Sequence, residues 1–214
     1  MKKALITVFL ILFIDQASKI IIKTSMSLGE EIMVFDDWFR IHFTENRGMA
    51  FGLELGGAYG KLLLSLFRLG AIALIGYYLF TLCKKQEKPG LIITVSFIFA
   101  GAIGNMIDSA FYGMIFSSSY HSPAQLFPPG GGYSSFLHGS VVDMFYFPLF
   151  RGEYPDWLPF IGGDRFVFFR PVFNVADSAI TIGVFTLLIF QKKFFPKEEE
   201  SKAEVAVEDH KTDN

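Results

Sequence analysis

The chain has 214 residues, 51% of them hydrophobic, with 26 phenylalanines and 19% charged residues, below the roughly 25% charged content of an ordinary soluble domain. That balance excludes a disordered chain, a nucleic-acid binder and a coiled coil. The single cysteine, Cys83, excludes an intrachain disulfide framework and a Cys-based zinc site.

Four apolar stretches reach membrane length, which needs about 17–25 residues. The first runs from Ala4 to Ile22. Lys2-Lys3 before it could be the n-region of a cleavable signal peptide, but Asp15-Gln16 stands where small cleavage-site residues belong, so a retained helix is expected. In the connection that follows, Ile32–Phe35 and Phe39–Thr44 read as short strands, giving a small β-cradle over about residues 30–60. The second and third spans cover about 62–82 and 91–107. Residues 111–172 form a second connection rich in Pro, Gly, Ser and aromatic residues, which reads as irregular structure on the membrane interface. The fourth span is 173–190. The expected fold is an all-α membrane protein: four transmembrane helices, a small extracytoplasmic β-cradle and long outer loops. Residues 1–196 form this body, and residues 197–214, with seven acids against three lysines, read as a disordered cytoplasmic tail.

Lysines set the orientation. Lys2 and Lys3 precede span 1, Lys84, Lys85 and Lys88 link spans 2 and 3, and Lys192, Lys193 and Lys197 follow span 4. Four spans put all three clusters on one side, the cytoplasm, with both termini inside and the long connections outside.

With that orientation, the polar residues of the spans gather at one depth near the outer face. Asp15, Gln16 and Lys19 end span 1, Asn105 and Asp108 close span 3, and Asn174 and Asp177 open span 4. Ionisable groups in apolar spans cost about 2.5–3.5 kcal/mol each on insertion scales, so they mark function by default. Asp15 and Lys19 have i,i+4 spacing, which suits an ion pair. Gly101, Gly104, Asn105 and Asp108 share one helix face, where glycines permit close helix approach. Asn174-x-x-Asp177 also fits a helix-start capping box, and Asp108 also fits a helix-end carboxylate held by a neighbour. Asp143 lies in the run Val141-Val142-Asp143-Met144-Phe145, where desolvation should raise its pKa. If Asp177 lies close by, the two carboxylates share a proton, and together they can activate water and protonate a carbonyl.

Other chemistries fit less well. Ser140, His138 and Asp143 are local but lack a G-x-S-x-G context. His42, His121, His138 and His210 lack zinc-protease spacing. A transporter would carry polar groups near the midplane, and the inner halves of spans 2 and 4 read as almost wholly apolar.

Five blocks, in order, resemble the lipoprotein signal peptidase family (signal peptidase II), membrane aspartyl proteases. They are Asp15-Gln16-Ala17-Ser18-Lys19, Asn46-Arg47-Gly48-Met49-Ala50-Phe51, the run from Gly101 to Asp108, Val141-Val142-Asp143-Met144, and Phe173-Asn174-Val175-Ala176-Asp177. The resemblance implies cleavage of prolipoprotein signal peptides before a diacylglyceryl-modified cysteine. It implies catalytic roles for Asp143 and Asp177. Supporting positions would be Asp15, Lys19, Asn46, Gly48, Gly104, Asn105, Asp108, Asn174 and Ala176. It implies no metal and no organic cofactor. Its implied partners are diacylglyceryl-modified prolipoproteins and membrane lipids, with no nucleic acid, and the default oligomeric state is a monomer. The implied location is the bacterial cytoplasmic (inner) membrane. Two departures stand out. Ser109 occupies a position where the family has Arg, leaving Arg151, Arg165 or Arg170 to replace it. Residues 111–140 are a long insertion and 145–172 are also long, and the two are expected to form a cap that shapes substrate access.

Overall fold

A computed structural model describes residues 1–35, 38–46, 57–148, 150–160, 163–168 and 171–196. Its helices follow the apolar runs. Helix α1 spans Lys2–Ser25, α2 spans Gly57–Lys84 and α3 spans Pro89–Ile107, with Pro89 in its first turn, where a missing N–H costs nothing. Each is long and apolar enough to cross a membrane. After α3 the chain stays helical, through a π-helical turn at Asp108–Tyr112 and the short α4 at Gly113–Ile115. The third span was expected to close near Ile107, and the apolar helix instead continues eight residues further. Helix α5, Val175–Ile189, is a shorter apolar helix, and α6 follows at Gln191–Phe194.

Strands β1 (Glu31–Phe35) and β2 (Phe39–Asn46) lie where the alternating pattern put them. They do not stand alone. Strand β3 (Val141–Tyr146) pairs antiparallel with β2, and β6 (Val172–Phe173) pairs antiparallel with β3. The resulting sheet has the order β1-β2-β3-β6. A purely helical class with a cradle confined to residues 30–60 is therefore too narrow, because half the strands come from the second connection. Strands β4 (Phe150–Glu153) and β5 (Arg165–Phe168) form a separate antiparallel pair.

The sheet is seated on α1 and on the insertion by one apolar cluster. Met26, Phe43, Tyr112, Phe116, Ala124, Val142 and Met144 are all buried in it. Residues 112–133 thus contribute core side chains, and Phe116 makes a bridge to Leu126. Lys23 ties the same region together: its buried ammonium pairs with Glu45, bonds Ser119 Oγ at 2.9 Å and lies over the rings of Phe43, Phe116 and Tyr133. Part of the expected cap, residues 112–133, is thus packed beneath the sheet.

Helices α3 and α5 meet through glycines. A Cβ on Gly101 would lie 2.3 Å from Ala176 O, and one on Gly183 would lie 2.5 Å from Ile98 Cγ1. Only hydrogen fits at these points, so the helices close face to face. That contact sets the start of α5 beside the end of α3.

Candidate active site

The polar residues of three helices converge where the sheet meets the bundle. Lys19 is the hub. Its Nζ donates to Asp15 Oδ2 at 2.9 Å, Asp108 Oδ2 at 2.8 Å and Asn105 Oδ1 at 2.8 Å. All three ammonium protons thereby have acceptors, and Lys19, Asp15 and Asp108 are fully buried. Charges so buried persist only when paired and hydrogen-bonded. Gln16 completes the second side, with Nε2 donating to Asp15 Oδ2, Asp108 Oδ1 and Gly104 O at 3.0–3.2 Å and Oε1 accepting from Tyr112.

Asp15 reaches across to α5, where its Oδ1 accepts the Ala176 backbone N–H at 2.8 Å. That donor is one of the first-turn N–H groups a helix leaves unsatisfied. Gly104 makes the approach possible, since a Cβ there would lie 2.6 Å from Asp15 Oδ2. Asp108 instead reaches the sheet and accepts from Val142 N at 3.2 Å. The network therefore fixes both chain segments that carry the candidate dyad.

Asn174 joins the two. Its Nδ2 donates to Asp143 Oδ1 at 2.7 Å, and its Oδ1 accepts from Asp177 N at 2.9 Å. The reciprocal Asn174 N to Asp177 contact completes a capping box. The capping and functional readings of Asn174-x-x-Asp177 thus hold together. Asn105 Nδ2 donates to Asp177 Oδ1 at 2.7 Å, so the residue that accepts a hydrogen bond from Lys19 also orients Asp177.

Asp143 is buried on β3, opposite Thr44 of β2. A bulge between Ile41 and Thr44 sends Phe43 into the core beside this pairing. Burial pushes the Asp143 carboxyl up to about 7, repulsion from Asp177 adds to this, and the Asn174 amide opposes it. A stack of aromatic rings flanks the dyad. Phe145 meets Phe39 and Phe173, and Phe147 stacks on Phe39 at 4.7 Å and on Phe173 at 5.8 Å. Trp38 continues the row outward and is half exposed.

The structure gathers Asp15, Lys19, Gly104, Asn105, Asp108, Asp143, Asn174, Ala176 and Asp177 into one connected site. Asn46 ends β2, paired with Val141 two residues before Asp143. Gly48 lies outside the described residues, as do Arg170 and the tail 197–214. His138 Nδ1 contacts Phe136 O and Ser135 Oγ, a pairing that leaves no Ser140–His138 couple for a serine hydrolase among the described residues.

Sequence reading missed a polar stripe on α2. Lys61, Ser65 and Arg68 have i,i+4,i+7 spacing on one face. Lys61 Nζ donates to His138 O at 2.6 Å, Ser65 Oγ to Leu137 O at 3.1 Å and Arg68 Nη1 to Ser109 Oγ at 3.4 Å. The guanidinium beside Ser109 is therefore that of Arg68. Arg151 and Arg165 sit on β4 and β5, the separate strand pair. An arginine inside an apolar span was the available signal, by the same cost argument that singled out Asp15 and Lys19.

Comparison with known proteins agrees with this geometry. A family model described as signal peptidase (SPase) II matches residues 7–193. This chain belongs to that family. Its members are proteases that remove signal peptides from prolipoproteins. The chain is 55% identical over 183 residues to a lipoprotein signal peptidase of Porphyromonas gingivalis, covering 85% of this chain and 79% of that one. It is 38% identical over 183 residues to a lipoprotein signal peptidase of Amoebophilus asiaticus, covering 84% and 73%. A solved bacterial membrane enzyme, determined by the in meso method at 1.9 Å resolution, is similar with a TM-score of 0.57 and 25% identity, covering 88% of this chain and 92% of that one. A second, at 2.3 Å resolution, has a TM-score of 0.59, 24% identity and coverages of 92% and 93%, and bears on the fold alone.

Proposed function

We propose that this signal peptidase II cleaves prolipoproteins before a diacylglyceryl-modified cysteine, with Asp143 and Asp177 as the two carboxyls that activate water. The observation that carries this reading is the Asn174 bridge, which ties the buried Asp143 carboxyl to the helix turn bearing Asp177. The two groups have different surroundings. Asp143, raised to about 7, is the group that holds a proton near neutrality and donates it to the scissile carbonyl oxygen. Asp177 accepts hydrogen bonds from Asn105 and Asn174 and takes the proton from the attacking water. As the tetrahedral intermediate collapses, Asp177 gives its proton to the leaving amine and Asp143 takes one back from the gem-diol, so each regains its own starting state. Asp15, Lys19, Asn105, Asp108, Asn174, Ala176 and Gly104 hold this pair in place, and Asn46 belongs to the substrate-facing cradle. The chemistry needs no metal or organic cofactor.

The protein sits in the cytoplasmic membrane as a monomer with four spans, both termini cytoplasmic and the dyad near the outer face. Two observations support that arrangement. Lys88 donates to Lys193 O, so the lysine clusters after α2 and after α5 share one end. The dyad lies at the other end, at the C-terminus of α3 and the N-terminus of α5. Residues 1–196 act as the peptidase body and 197–214 as a cytoplasmic tail. The aromatic row from Trp38 to Phe173 suits a lipidated substrate held at the bilayer surface, where aromatic rings are favoured. Mass spectrometry of products from a diacylated prolipoprotein tests the reading: cleavage directly before the modified cysteine supports it, and cleavage elsewhere or of unlipidated precursor equally well overturns it.

A further inference from the structure

Arg68 is the one cation of the α2 stripe that the site described above leaves without a task. Lys61 and Ser65 anchor the carbonyls of His138 and Leu137, which brings the chain leading into β3 against α2. Arg68 lies two turns further along the helix from Lys61 and reaches the turn after α3 at Ser109. Among the described residues, its guanidinium has one hydrogen bond, a long one of 3.4 Å to Ser109 Oγ. Ser109 Oγ in turn donates to Asn105 O at 3.0 Å, and Asn105 holds Asp177.

The carboxylates of Asp177, Asp143 and Asp108 all act electrostatically on Arg68, yet among the described residues none of them forms an ion pair with it. A guanidinium carries five N–H donors in a rigid fork. Here, in an apolar span, one is used among the described residues, on the Ser109 hydroxyl that leads through Asn105 to Asp177. A purely structural arginine at such a position would close onto a carboxylate, as Lys19 does. One that snorkelled would turn to the bilayer surface, whereas Arg68 turns to α3.

We propose that Arg68 binds the substrate: its guanidinium donates to a carbonyl oxygen of the lipid-modified prolipoprotein lodged against the dyad. The inference rests on the peptidase reading of the site. Two carbonyl sources share this chemistry, a peptide carbonyl beside the scissile bond and an ester carbonyl of the diacylglyceryl group. Arg68 adds a donor from α2 to the groups that β3 and α5 bring to the site.

The test is binding of a diacylated prolipoprotein to the full chain carrying Asp143→Asn, with and without Arg68→Gln and Arg68→Lys, alongside cleavage by the single Arg68 variants. Loss of one charge-assisted hydrogen bond should weaken binding by about 10- to 100-fold in Arg68→Gln. Arg68→Lys keeps the charge but not the fork and should fall between. A substrate with ether-linked chains separates the sources. If the ester carbonyl is the partner, wild type binds the ether form worse and Arg68→Gln binds both equally. If the peptide carbonyl is the partner, Arg68→Gln weakens both forms alike. Binding within twofold of wild type in Arg68→Gln overturns the proposal, including where turnover drops with a displaced pH profile, which would make Arg68 an electrostatic neighbour of the dyad only. Failure of the wild-type chain to cleave the substrate at all would instead remove the peptidase reading, and this inference with it.

Discussion

Replacing Lys19 with Met should damage the molecule more than any other single charge removal. In the folded chain, Lys19 Nζ lies 2.8–2.9 Å from both Asp15 and Asp108. At an effective dielectric of about 20, each contact is worth roughly 6 kcal/mol gross, most of which offsets the desolvation of three fully buried groups. Methionine removes the attraction and leaves both carboxylates and the Asn105 carbonyl buried without their cation. Breaking a buried pair in this way costs about 3–5 kcal/mol, or roughly 6–20 °C in Tm for a chain of this size. Thermal unfolding in detergent micelles measures it. Turnover should fall as well, because Asn105 then loses the contact that holds it against Asp177. Adding Asp108→Asn to Lys19→Met should recover part of the stability, since the remaining Asp15 carboxylate still accepts from Ala176 N and Gln16 Nε2. A Lys19→Met chain within 1 kcal/mol of wild type, or a double variant no more stable than the single one, would refute the reasoning.

Other perturbations act on packing and protonation. Gly101→Ala should cost about 1–3 kcal/mol, because its Cβ would meet Ala176 O at 2.3 Å, whereas Gly70→Ala, with nothing within 4 Å, should be neutral or slightly stabilising; paired Tm measurements check this. Phe116→Ala should destabilise by about 3–5 kcal/mol, since Phe116 is fully buried under the sheet; equilibrium unfolding that shows less than 1 kcal/mol would make the insertion peripheral. Turnover should decline as pH rises through about 7, where Asp143 loses the proton it donates, which a pH–rate profile reads directly. The same raised pKa gives stability that is complete below about pH 4 and lost as pH climbs to about 7, a slope that Asp143→Asn should remove from thermal unfolding curves.

The sequence showed the helices and the level of the site because both depend on local patterns. Apolar runs of membrane length are helices for want of any other way to satisfy their backbone. Charges inside them are rare enough that their depth is informative, so Asp15, Lys19, Asn105, Asp108, Asn174 and Asp177 could be grouped before any contact was known. Partnering between distant segments was harder to read. Strand β3 is six residues long and β6 only two, and both pair with partners whose identity no short-range pattern encodes. The insertion read as interfacial because Phe116 and Tyr133 resemble surface aromatics in composition, and only the fold shows that Phe116 is buried beneath Val142 and Met144. Arg68, within span 2, carries the same signal as Lys19, a cation in an apolar run.

In the proposed mechanism two carboxyls, bridged by Asn174, perform the cleavage. Processing of a diacylated prolipoprotein by Asp143→Asn and Asp177→Asn, each confirmed folded by its Tm, tests it most directly. Both should lose turnover by at least about 1,000-fold while still binding the substrate. Near-normal turnover in either variant would rule out the dyad.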